Sequence, residues 1–136
     1  MAGGSTPDGP RTLDHDFTPP SMVITNTSRG TTLADRAQVA RTLPQRVVGL
    51  LSRTGLAPGE ALIFPHCNSI HTWFMRFPID VVFVRQGQVV RTVHTLGPFR
   101  LRMARSADTV IELPAGAAAR AGLEPGTQLR WDESSL

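Results

Sequence analysis

The sequence predicts a single mainly β domain, a β-sandwich or barrel-like fold with one main α-helix, on three observations. Seven or more short β-branched or apolar runs recur, separated by Gly- and Pro-bearing turns. A single substantial stretch, residues 43–53, changes to a helical period. Finally, 136 residues with 40% apolar content suit one domain with one buried core.

The elements follow in order. Residues 1–20, rich in Gly, Ser, Thr, Pro and Asp, carry too few periodic apolar positions to offset their ordering entropy. They are expected to form a disordered arm, with the domain spanning residues 21–131 and a frayed tail at 132–136. Met22 to Thr27 reads as a first strand and Thr31 to Ala40 as a second, with Ser28-Arg29-Gly30 as the turn between them. Thr42 and Gln45 have the spacing of a capping box, and Pro44 falls in the first turn, where its missing N–H costs little. Leu43, Val47, Leu50 and Leu51 then share one face of a helix that Gly55 ends.

Ala61 to Val84 is the centre of the chain. It holds the sole cysteine, two of the four histidines, one of the two tryptophans and four of the six phenylalanines. Ala61 to Phe64 is a short apolar strand closed by Pro65. Ser69 to Met75 alternates, with His71, Trp73 and Met75 on one face and Ile70, Thr72 and Phe74 on the other. Arg76-Phe77-Pro78 interrupts the ladder, because proline supplies no donor. Ile79 to Val84 and Val89 to Thr95 form a hairpin about Gln86-Gly87. In Phe99 to Met103, arginine alternates with apolar residues, predicting a basic stripe on one sheet edge. Thr109 to Leu113 is a further strand, residues 115–121 a short second helix closed by Gly122, and Gln128 to Trp131 the last strand.

RVVGLLSR (46–53), SIHTWFMRFPIDVVFV (69–84) and IELPAGAAARAGLEPGTQL (111–129) stand in an order and spacing that resembles the DUF192 family. This family, also called UPF0127, comprises small bacterial and archaeal proteins of unknown function. The resemblance covers about residues 22–131. It implies a mainly β, sandwich-like domain and no established reaction, cofactor or catalytic set. It also implies that many relatives are exported through a signal peptide or lipid anchor.

Composition narrows the function classes. No apolar run reaches the roughly 18–20 residues that span a bilayer. The first residues show neither a basic nor an apolar leader region, so a cytoplasmic location is the expectation. One cysteine excludes an internal disulfide and a cysteine-based zinc cage. The net charge is +3, and every basic residue is arginine. Arg85, Arg91, Arg100, Arg102 and Arg105 could therefore line an anion-binding edge. Nucleic acid is disfavoured as a partner, because Phe99 is the sole aromatic beside them in sequence.

Four residues carry the candidate chemistry. Asp80 opens a strongly apolar strand, where an unpaired carboxylate is costly to bury. A base or ligand contact is one reading; a carboxylate satisfied by backbone N–H groups or arginine is the favoured one. Cys67 with His66 and His71, oriented by Asp80, would make a thiol nucleophile and base, although the spacing matches no thiol-enzyme signature. The same residues would make a weak metal set, lacking the paired spacings of zinc sites; neither a metal nor a cofactor is expected.

The first functional reading is thus a non-enzymatic module binding a small ligand or protein partner in a cleft around Pro65–Asp80. Its contacts would be His66, His71, Trp73, Met75, Asp80 and Glu112. A thiol enzyme using Cys67 and His71 is the alternative, and an arginine-mediated anion binder the third.

Overall fold

A computed structural model of the chain describes residues 21–40, 55–73 and 75–132. Its strands are β1 (Met22–Asn26), β2 (Thr31–Val39), β3 (Glu60–Pro65), β4 (Ser69–His71), β5 (Ile79–Arg85), β6 (Gln88–Leu96), β7 (Leu101–Met103), β8 (Thr109–Pro114) and β9 (Leu129–Arg130). Ala117–Arg120 forms the short helix α1. Seven strands make one sheet in the order β9-β1-β2-β3-β8-β5-β6, and β4 pairs with β7 in a separate antiparallel ribbon. The expected main helix at 43–53 lies outside the described residues.

The sheet curls into a half-barrel. Its first and last strands are drawn together where Val89 N–H donates to the Thr127 carbonyl at 2.8 Å and Leu129 N–H to that of Gly87 at 2.7 Å. The Gln86-Gly87 turn makes this approach, with φ of 49° and 81° at its two central residues. Positive φ at both matches the twist of a tight hairpin. β2 and β3 are the one parallel pair among the described strands, whereas β3, β8, β5 and β6 are antiparallel neighbours.

The central strands are apolar without alternation because both of their faces are covered. Ile63, Val82, Val84, Ile111 and Leu113 pack on one face with Ala118 of α1 and Leu123. Leu62, Phe64, Ile79, Val81, Phe83 and Val110 pack on the other with Met75 and Leu96. Each fully buried Ile, Leu or Phe contributes roughly 1.5–3 kcal/mol relative to exposure.

Three expectations are corrected. The strand expected over 69–75 ends at His71, because Thr72 turns the chain: Met75 N–H donates to the Thr72 carbonyl at 3.2 Å. The second helix is four residues long, not the span 115–121. The Phe99–Met103 segment exposes its apolar residues most fully: Phe99 is 64%, Leu101 60% and Met103 49% exposed, while Arg102 is half-buried. An alternating pattern specifies two faces but not which one meets solvent.

Candidate binding surface

The β4–β7 ribbon is built around Thr72, a fully buried threonine. Its hydroxyl donates to the Gly97 carbonyl at 2.6 Å and accepts from Arg100 N–H at 3.0 Å. Its own N–H donates to the Arg100 carbonyl at 2.9 Å, and its carbonyl accepts from Phe99 N–H at 3.0 Å. One side chain thus fixes both chain turns at the end of the ribbon, placing Trp73 beside Phe99. A buried hydroxyl requires such partners.

The register Ser69↔Met103, Ile70↔Arg102, His71↔Leu101 puts alternate residues on a common face. Ile70 turns inward onto the core. His71, Leu101 and Met103 turn outward, and the edge-to-face contacts His71–Trp73 (centroids 5.7 Å, 84°) and Trp73–Phe99 (6.5 Å, 64°) extend the same surface. Trp73 is 45% exposed. These five side chains form a continuous apolar and aromatic patch.

Arginines rim it. Arg91 Nη1 donates to the Met103 carbonyl at 2.7 Å, Arg102 Nη1 to that of Leu101 at 2.8 Å, and Arg100 Nη1 to that of Phe99 at 3.3 Å. The Arg91 guanidinium also lies 6.0 Å from the centroid of the buried Phe83 ring. None of the three guanidinium groups meets a carboxylate among the described residues.

The other sequence candidates are dispersed. Asp80 is fully buried on the face that carries α1. Its Oδ1 accepts from Thr95 N–H at 2.7 Å; its Oδ2 accepts from Gly116 N–H at 3.0 Å and Ala118 N–H at 2.9 Å. The β5–β6 register shifts between Ile79 and Val81, and Thr95 there has φ 52°, a rare conformation for a β-branched residue. Asp80 thereby ties a β-bulge to the start of α1.

Glu112 is fully buried too, across from Leu62 and Val81 on the opposite face, and neither carboxylate oxygen has a hydrogen-bond partner among the described residues. Burial pushes its carboxyl up to about 8. Met75 is buried in the same layer as Leu62 and Val81.

Cys67 is half-buried beside a cavity of about 400 Å³ lined by His66, Asn68, Ser69, Ala107 and Asp108. Its thiol donates to the Ser69 carbonyl at 3.0 Å. His71 is not part of that lining; it meets Trp73 edge to face outside. The cleft grouping of His71, Asp80 and Glu112 is therefore not formed. No cluster of three metal-ligating side chains occurs among the described residues. Of the basic residues, Arg85 bonds the Ser106 carbonyl, and Arg105 is exposed.

Phe99, Leu101 and Met103 escape a sequence reading that looks for polar chemistry. Their signal is the Phe-Arg-Leu-Arg-Met alternation, whose apolar half faces outward.

A curled, mainly β half-barrel bearing an outward-facing ribbon is the class of domain these features define. The chain belongs to the DUF192 family, described as Uncharacterized ACR, COG1430, which matches residues 24–131. It is 33% identical over 116 residues to a UPF0127 protein of Pyrococcus abyssi, covering 80% of this chain and 97% of the relative. A UPF0127 protein of Pyrococcus furiosus is 30% identical over 114 residues, covering 79% and 96%. A crystal structure of a protein of unknown function from Novosphingobium aromaticivorans shares the fold, with TM-score 0.67, 28% identity and coverage of 81% and 83%. A Sinorhizobium meliloti structure has TM-score 0.68 at 24% identity, covering 81% and 91%. No described helix is long and apolar enough to cross a membrane.

Proposed function

We propose that this protein is a binding module for another protein, and that its contact surface is the outer face of the β4–β7 ribbon. One observation carries the reading: Trp73, Phe99, Leu101 and Met103, each 45–64% exposed, lie on one face with His71. Tryptophan, phenylalanine, methionine and arginine are the residues enriched at the centres of protein interfaces. Contiguous exposed apolar patches mark such contacts, whereas isolated exposed apolar residues need no explanation.

Site-specific photocrosslinking in the native host tests this. A photoreactive residue at position 101 should give a discrete protein adduct that the same group at Val23 does not; Val23 is 48% exposed. Equal labelling from both positions, or none from 101, overturns the proposal.

A further inference from the structure

The ribbon's hydrogen bonding restricts how a partner can approach. Ala104 N–H donates to the Asn68 carbonyl and Thr72 N–H to that of Arg100, both at 2.9 Å. Those bonds make Ile70–Arg102 the hydrogen-bonded pair between them, so Leu101 and Met103 direct their own N–H and C=O groups away from β4. This is the edge at which an added strand would pair. Its two outward carbonyls are already held by Arg102 and Arg91. An incoming strand would have to displace both guanidinium groups, as expected of an edge protected against pairing.

The same arginines define the partner's charge. A guanidinium has five N–H donors, and those not used on the carbonyls of Phe99, Leu101 and Met103 remain for a carboxylate. A second copy meeting this face symmetrically would oppose Arg91, Arg100 and Arg102 to themselves, in a chain already at +3. Single-stranded nucleic acid requires ring faces that successive bases can stack on. Here the rings meet edge to face at 84° and 64°, and the rest of the patch is aliphatic.

We infer that the partner is an acidic protein segment, apolar side chains interspersed with carboxylates, laid across the face without joining the β7 edge. Its apolar groups sit over Trp73 and Leu101, and its carboxylates take the free donors of Arg91, Arg100 and Arg102. This inference rests on the binding-face reading and adds the chemistry and mode of the partner.

The test is fluorescence anisotropy with labelled short peptides and the full chain. The probes are a peptide alternating Glu with Phe and Leu, its Lys-for-Glu counterpart, its Ser-for-apolar counterpart, a copy N-methylated at alternate residues, and an oligothymidylate of matching length. The Glu peptide should bind and weaken with salt. Trp73→Ala, Leu101→Ser and the double variant R91Q/R102Q should each reduce its affinity about tenfold or more. The N-methylated copy should bind as well as the parent, and the other probes should not bind.

Binding of the Glu peptide unchanged by Trp73→Ala and Leu101→Ser would remove the face itself. Equal binding of the Lys peptide, with R91Q/R102Q neutral, would keep the face and overturn the acidic partner. Loss on N-methylation would establish strand addition instead. Preference for oligothymidylate, or a dimer abolished by Leu101→Ser, would assign the face to nucleic acid or to a second copy. Tighter peptide binding in the D14S/D16S/F17S variant would assign it to the chain's own Leu13-Asp14-His15-Asp16-Phe17. Failure of every peptide to bind also overturns the inference.

Discussion

Asp80 and Glu112 stand on adjacent strands one residue apart in register, Asp80 across from Leu113 and Glu112 across from Val81, so their carboxylates leave the sheet on opposite faces. Both are fully buried. Asp80 receives three backbone N–H groups, and Glu112 receives no hydrogen bond from the described residues. The same residue chemistry thus has two energetic outcomes.

For Asp80 the expected role is mechanical. Hydrogen bonds to a charged group are worth about 1.5–3 kcal/mol each, and loss of the acceptor leaves buried donors unpaired. Asp80→Ala should therefore destabilise the fold by about 3–5 kcal/mol. Asp80→Asn should cost less, since one oxygen remains to accept. Urea denaturation at neutral pH measures both. A variant as stable as the parent would show that other groups hold Thr95 and α1 in place.

Glu112 predicts a pH dependence of the opposite kind from that of a paired carboxylate. Burial raises its folded-state value from 4.5 to about 8. Between these values the folded state keeps a proton that the unfolded chain has released. Stability therefore falls as pH rises from about 4.5 to about 8 and levels off above, by at most about 1.4 kcal/mol per pH unit. Glu112→Gln removes this slope. It should match the parent near the low end and exceed it by several kcal/mol near the high end. Denaturation curves across that range, taken as the difference between the two proteins, isolate Glu112 from every other group; parallel curves would mean that Glu112 ionises normally.

Trp73 and Leu101 should separate binding from folding. Both project from the ribbon, so Trp73→Ala and Leu101→Ser should change stability by no more than about 0.5 kcal/mol, as surface substitutions generally do. Thermal denaturation checks this. A large loss would place these side chains in the fold's own packing.

Cys67 offers a check on thiol chemistry. With the thiol donating to the Ser69 carbonyl and His71 edge-on to Trp73, no imidazole orientation by Asp80 supports a nucleophile. The rate of iodoacetamide alkylation should be unchanged in His71→Ala. A marked fall in rate would restore the Cys67–His71 pairing as a reactive couple.

The mainly β character was legible because apolar runs and Gly- or Pro-bearing turns report local preferences. The strands that hold Phe83 and Ile111 could be placed on that basis. Which polar residues meet was not legible, since it depends on register. The bulge opposite Asp80 carries Thr95 to its carboxylate, and no local signal in His94-Thr95-Leu96 announces it. Glu112 was expected as a contact in an open cleft, but its strand is covered on both faces. Thr72, one threonine in an aromatic run, gave no hint that it anchors two turns. The outward apolar face was hidden for a different reason: exposed Leu101 and half-buried Ile70 are alike in hydropathy.

The closure of the half-barrel bears on how the chain is made. Thr27 bonds the Gln128 carbonyl across 101 residues of sequence, and the two-residue β9 supplies the last partner of β1. A ribosome delivers the N-terminal strands first. The outer backbone of β1 must then wait, open to pairing with other nascent chains, until nearly the whole domain has emerged. Transcripts truncated just before Gln128 would make that vulnerability permanent.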